Sequence, residues 1–86
     1  MNRREELVEL AGDDELLFVD PERFDAAIMG YVERAGDGAL VCYNKDKVIE
    51  ILMEDGMDWE EASEYYYFNI FGSYVGEKTP VFLETV

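Results

Sequence analysis

The chain has 86 residues, 49% apolar and 14% aromatic, which supplies one compact core and is too rich in aromatics for a disordered acidic tail. Twenty-one Asp and Glu against seven Lys and Arg leave a net charge of −14, well outside the magnitude of roughly 2–8 that suits a small soluble domain, and such a field opposes DNA, RNA or an anionic membrane. The absence of histidine excludes His-based acid–base catalysis, Cys–His and Ser–His nucleophile pairs and the usual zinc ligand sets.

Arg3 to Ala11 reads as a short helix with Leu7, Val8, Leu10 and Ala11 on its apolar side, ended by Gly12-Asp13-Asp14. The apolar run Leu16-Leu17-Phe18-Val19 predicts a short buried strand. Asp20 then offers an N-cap, Pro21 suits a first helical position and Glu22 favours the positive helix end. Phe24, Ala27, Ile28, Tyr31 and Val32 follow at i, i+3, i+4, i+7 and i+8, which predicts a helix with one face on the core. Gly36-Asp37-Gly38 stops it and turns the chain.

Ala39-Leu40-Val41-Cys42-Tyr43 predicts a central strand. Asn44 caps a helix expected to reach Asp55, buried through Val48, Ile49, Ile51, Leu52 and Met53, with Gly56 taking the left-handed position after it. Asp58 with Glu61 three places on resembles a capping box, and Met57 can pack on Ala62 as a hydrophobic staple. That helix should run to about Phe71 and stop at Gly72. A loop to Pro80 leads into a last strand, Val81-Phe82-Leu83. The order α-β-α-β-α-α-β predicts a single α+β domain filling residues 1–86, a small three-stranded sheet with helices packed mainly on one face.

No candidate chemistry emerges from the remaining groups. Cys42 sits in the most apolar segment and reads as a buried structural thiol. Gly72-Ser73-Tyr74-Val75-Gly76 lacks the Lys-Ser/Thr pair of a phosphate loop. Asp13-Asp14-Glu15 is contiguous and sends its side chains apart. The cluster Glu54, Asp55, Asp58, Glu60, Glu61 and Glu64 lacks the spacing of a calcium loop. The helix pair 45–55 and 59–71 has the outline of a helix-turn-helix, but its second helix carries glutamates and no Lys or Arg. The expectation is no catalytic residue, no cofactor and no metal. The lone cysteine, the charged N-terminal residues and the lack of an apolar run of about 18 residues predict a cytoplasmic protein with no leader and no membrane span.

One feature stands out: Tyr65-Tyr66-Tyr67-Phe68-Asn69-Ile70-Phe71. Residues about 100° apart on a helix cannot all face one core. Either the helix is buried all round, or some rings form an exposed strip rimmed by Glu60, Glu61 and Glu64. Tyr is enriched at interface hot spots, so Glu60, Glu61, Glu64, Tyr65 and Tyr67 are the candidate partner-binding residues.

A resemblance covers roughly the second half of the chain. Tyr43-Asn44-Lys45-Asp46-Lys47-Val48-Ile49-Glu50, Asp55-Gly56-Met57, Glu60-Glu61-Ala62, Glu64-Tyr65, Phe68-Asn69, Gly72-Ser73-Tyr74-Val75-Gly76-Glu77 and Thr79-Pro80-Val81-Phe82 together resemble a small uncharacterised family of bacteriophage proteins. The resemblance implies a phage or prophage setting, hence a host-cell cytoplasm, and brings no activity or site. Charge and size then predict a protein that binds the basic surface of a host protein and inhibits or modulates it. By analogy of size and charge, it could act as a nucleic-acid mimic of the anti-CRISPR or anti-restriction type. The alternative is a homo-oligomeric structural or assembly protein, a homodimer through the aromatic helix. A cation-dependent enzyme is the third reading. Acidity that serves solubility alone, or a salt-rich habitat, is the plain alternative to all of them.

Overall fold

In the computed structural model, residues 2–12, 16–36, 38–73, 76 and 78–85 are described. They form an α+β domain with three α-helices and a three-stranded sheet. The Asp13-Asp14-Glu15 run, Asp37 of the first turn and Tyr74-Val75 of the last loop lie outside the described residues.

Helix α1 spans Arg3–Ala11, and the Asn2 side chain caps it by accepting from the Glu5 N–H at 2.9 Å. Of its expected apolar side only Leu7 is buried; Val8 and Leu10 stand in solvent. Polar contacts dock the helix instead. Arg4 forks onto both Asp25 oxygens at 2.9 Å and lies over the Phe18 ring, while Arg3 donates to the carbonyls of Ala26 and Ile28.

The next segment departs from expectation. Leu16 to Val19 form no strand. Leu16, Phe18 and Val19 pack on the core as irregular chain, and the Val19 N–H donates to the Tyr43 hydroxyl at 2.8 Å. The helix predicted after Asp20 is also absent. Glu22–Ala27 is a 3₁₀ segment with no side-chain cap from Asp20, and Ile28–Arg34 is strand β1.

The spacing that suggested a helix has another origin. Phe24 and Ala27 face inward together because a 3₁₀ turn has three residues. Ile28 and Tyr31 reach the same face of the sheet because a bulge at Met29 inserts one extra residue: Ile28 pairs with Tyr43, Gly30 with Cys42 and Tyr31 with Val41. Val32, opposite Leu40, points to the other face. Seven residues with two β-branched members, a tyrosine and a glycine gain more by pairing with β2 than as a helix that Gly30 weakens by about 1 kcal/mol.

Strand β2, Gly38–Asn44, is central, antiparallel to β1 and parallel to the short β3, Val81–Leu83. Both of its faces are covered: Ala39 to Tyr43 are all buried. Between the parallel strands runs the helical crossover that such pairing requires. Helix α2, Lys45–Glu54, is capped by Asn44, whose side chain accepts from the Lys47 N–H at 3.1 Å; a cap of this kind is worth about 1 kcal/mol. It buries Val48, Ile49, Ile51 and Leu52, whereas Met53 is exposed. Gly56, at φ 103°, makes the turn after it. All three helices deliver side chains to one cluster on the Val41–Tyr43 face: Leu7 from α1, the four from α2, and Ala62 from the helix that follows.

Candidate protein-binding surface

Helix α3 spans Trp59–Tyr65 and starts where predicted: the Asp58 carboxylate accepts from the Glu61 N–H at 2.8 Å. Met57, just before the cap, packs on the core. From Tyr66 to Phe71 the helix widens into a π-helical turn, a form frequent at functional sites. It ends at Gly72, where a Cβ would sit 2.7 Å from the Tyr67 carbonyl oxygen, so the backbone's close approach requires glycine.

This geometry sorts the aromatic run. Tyr66 is 1% exposed and sits among the rings of Tyr67, Phe71 and Phe82 at 5.1–5.9 Å between centroids; Ile70 is buried beside it. Tyr65 and Phe68 turn outward, Phe68 at 81% exposure. Tyr67 is half exposed but already committed. Its hydroxyl bonds the Lys45 ammonium at 2.6 Å, the same nitrogen reaches Glu84 at 3.2 Å, and it lies over the rings of Tyr67 and Tyr66. Those two bonds push the Lys45 pKa up, so this side of the helix holds a permanent cation.

Among the described residues, the lining of the opposite side includes no Lys or Arg. Met57, Glu61, Glu64, Tyr65, Phe68 and Asn69 line one shallow, open groove of about 350 Å³. Helical spacing explains the set, since 61, 64, 65 and 68 stand at i, i+3, i+4 and i+7. Of the five residues expected to bind a partner, the structure brings Glu61, Glu64 and Tyr65 together in this groove. Glu60 is exposed in the first turn but does not line it, and Tyr67 belongs to the Lys45 side. Sequence reasoning missed Met57, Phe68 and Asn69 as lining residues. Extending the i, i+3, i+4, i+7 pattern from Glu61 finds Phe68, its next step at i+8 finds Asn69, and Met57 lies four residues before Glu61.

The carboxylates around the groove form no ion pair among the described residues. Among the described residues, the ion pairs join Arg4 to Glu22 and Asp25, Arg23 to Asp55, Lys45 to Glu84 and Lys47 to Glu50. None involves Asp58, Glu60, Glu61 or Glu64. A larger hollow, about 490 Å³ between α1, β1 and the start of α2, is lined by Arg3, Glu6 and Lys47 among others. Its cations are occupied, Arg3 by backbone carbonyls and Lys47 by Glu50.

Two further groups are accounted for. Burial pushes the Cys42 thiol pKa up, which suits a packed structural side chain. Among the described residues, Ser63 Oγ is a buried side-chain oxygen without a hydrogen-bond partner. Ser63→Ala should therefore raise stability by up to about 1 kcal/mol, removing an unmet hydroxyl and adding helix propensity. A loss of that size in urea unfolding would show that the hydroxyl does have a partner.

Among the described residues no group of three Cys, Asp or Glu side chains is placed to hold a metal ion, and no helix is long and apolar enough to cross a membrane. The fold and its surface define a small acidic α+β domain with an aromatic groove. Comparison with family models, curated proteins and solved structures finds no match to the chain.

Proposed function

We propose that this protein is a binding module without catalytic chemistry of its own, which occupies the basic surface of a host protein and inhibits or modulates it. The observation that carries the reading is the coincidence, along α3, its Asp58 cap and the π-helical turn that continues it, of four carboxylates without an ion pair among the described residues, Asp58, Glu60, Glu61 and Glu64, with the outward side chains Trp59, Tyr65 and Phe68. The carboxylates supply long-range attraction to a basic groove, and the rings supply affinity that salt does not screen. On this reading the carboxylates stand where a nucleic acid would present phosphates, and the targets are nucleic-acid-binding effectors of the CRISPR or restriction type. The phage setting that the second half of the chain suggests by resemblance fits such a role.

The assembly reading fares worse on electrostatics. Two copies meeting through this helix about a two-fold axis would bring the same glutamates face to face, in a chain that already carries −14. Light scattering should accordingly find a monomer. A dimer that dissociates on Tyr65→Ala or Phe68→Ala would turn the argument to assembly.

The direct test is capture of basic proteins from bacterial lysate at 50 and 300 mM salt, on the wild-type chain and on Glu60→Lys/Glu61→Lys/Glu64→Lys. Retention should fall at least about tenfold with either the salt or the triple substitution, since each screens or reverses the attraction. Equal retention on the triple variant removes the proposal.

A further inference from the structure

The groove that begins on α3 sets rings beside carboxylates, a combination that net charge alone does not describe. Resting on the basic-partner reading above, we infer that the Met57–Glu61–Glu64–Tyr65–Phe68 groove binds an arginine side chain presented by the partner, in preference to lysine.

The groove combines two features that a lysine cannot use together. Its lining is apolar and aromatic: Met57 is half buried, Tyr65 is 41% exposed, and the Phe68 side chain, 81% exposed, has no polar atom and no ring contact among the described residues. Its rim holds two carboxylates one helical turn apart, Glu61 and Glu64, neither tied to a cation among the described residues. A guanidinium is planar and weakly hydrated. It can lie flat on a ring while its edge presents paired N–H groups to a carboxylate. An ammonium is a strongly hydrated point charge, and pressing it on Phe68 would strip water from it while leaving its geometry unmatched to the rim. The arginine's methylene stem would cover Met57 and part of Tyr65.

Charge complementarity also decides between occupants. A second copy of this chain would bring more acid to an acidic rim, and a nucleic acid would bring phosphate. The aliphatic counterpart on α1 makes the distinction sharper. Val8 and Leu10 are exposed near Glu5, Glu6 and Glu9, yet that helix carries no ring on which a guanidinium could stack. Within the fold itself, Arg4 over Phe18 with its fork on Asp25 displays the same combination of ring and carboxylate.

The test uses two blocked decapeptides of equal charge, one of arginine and one of lysine, titrated against the whole chain at about physiological salt. Calorimetry gives affinity, and NMR shifts of the Met57 methyl and the Tyr65 and Phe68 rings give location. The arginine peptide should bind about tenfold more tightly, the equivalent of one good cation–π contact with a forked carboxylate pair. Phe68→Ala, Tyr65→Ala and Glu61→Gln/Glu64→Gln should each shrink that preference towards unity. Phe68 and the two glutamates are exposed and Tyr65 partly so; melting temperatures confirm that each variant is folded at the temperature of the titration. Equal affinities, or a preference that survives Phe68→Ala and Tyr65→Ala, overturns the arginine site. If both peptides bind equally and Glu60→Lys/Glu61→Lys/Glu64→Lys abolishes both, the basic-partner reading stands and only the arginine inference falls. If neither peptide binds even at low salt, both fall.

Discussion

Tyr66→Ala should destabilise the domain by about 3–5 kcal/mol, whereas Phe68→Ala, two residues on, should change stability by less than about 0.5 kcal/mol. Tyr66 is 1% exposed and its ring meets three others, so truncation leaves a cavity where Tyr67, Phe71 and Phe82 converge. That cluster joins the end of the helical crossover to β3, adding side-chain packing to the three-residue pairing of β3 with β2. Small domains have total stabilities near the low end of about 5–15 kcal/mol, so the Tyr66 variant should be largely unfolded at 37 °C. Phe68 loses almost no buried area when truncated. Denaturant midpoints of the two variants decide the matter. Comparable losses at both positions would mean that the aromatic helix is rotated or buried all round, and the groove would then not exist.

Raising the pH should unfold the protein through two tyrosines that titrate late. Burial pushes the hydroxyls of Tyr43 and Tyr66 up to about 12, from an ordinary value near 10. For Tyr43 burial outweighs the hydrogen bond from Val19; for Tyr66 it outweighs the nearby Lys45 charge. The folded-state values lie above the unfolded ones, so the contribution of each tyrosine is intact below about pH 10. It is lost as the pH climbs through about 12, because the unfolded chain releases those protons first. Each shift of this size corresponds to on the order of 2–3 kcal/mol. Urea midpoints should hold steady up to about pH 10 and then fall, together with late tyrosinate absorbance. Tyr43→Phe separates the causes. At neutral pH it should cost about 1 kcal/mol by leaving the Val19 N–H unpaired, and it should remove one of the two alkaline losses. Midpoints that stay flat through pH 12 would contradict the burial of both hydroxyls.

The partner-binding surface was legible in the residues only up to a rotation. Helical spacing groups Glu61, Glu64, Tyr65 and Phe68, but five rings within seven residues fit several orientations of the helix. Tyr67 illustrates the limit. Its type and neighbours suit a contact residue, and what withdraws it from the acidic face is Lys45, 22 residues earlier, brought over by the packing of α2 on α3.

What the amino-acid order settles by itself is whatever rests on short-range chemistry. The caps at Asn44 and Asp58, the turn at Gly56, the stop at Gly72 and the central apolar strand involve neighbours a few residues apart, so they follow from the residues present. The same holds for the charge and for the missing histidine. Residues 16–34 show what needed the tertiary structure. Leu16 to Val19 are apolar enough for a strand but find burial without a pairing edge, and Phe24 to Val32 keep a helical rhythm while forming a 3₁₀ turn and a bulged strand. Periodicity reports which residues point inward and not which backbone points them there. A bulge of one residue can turn a strand's period of two into a local spacing of three. Antiparallel pairing with β2, the next strand along the chain, chose between them.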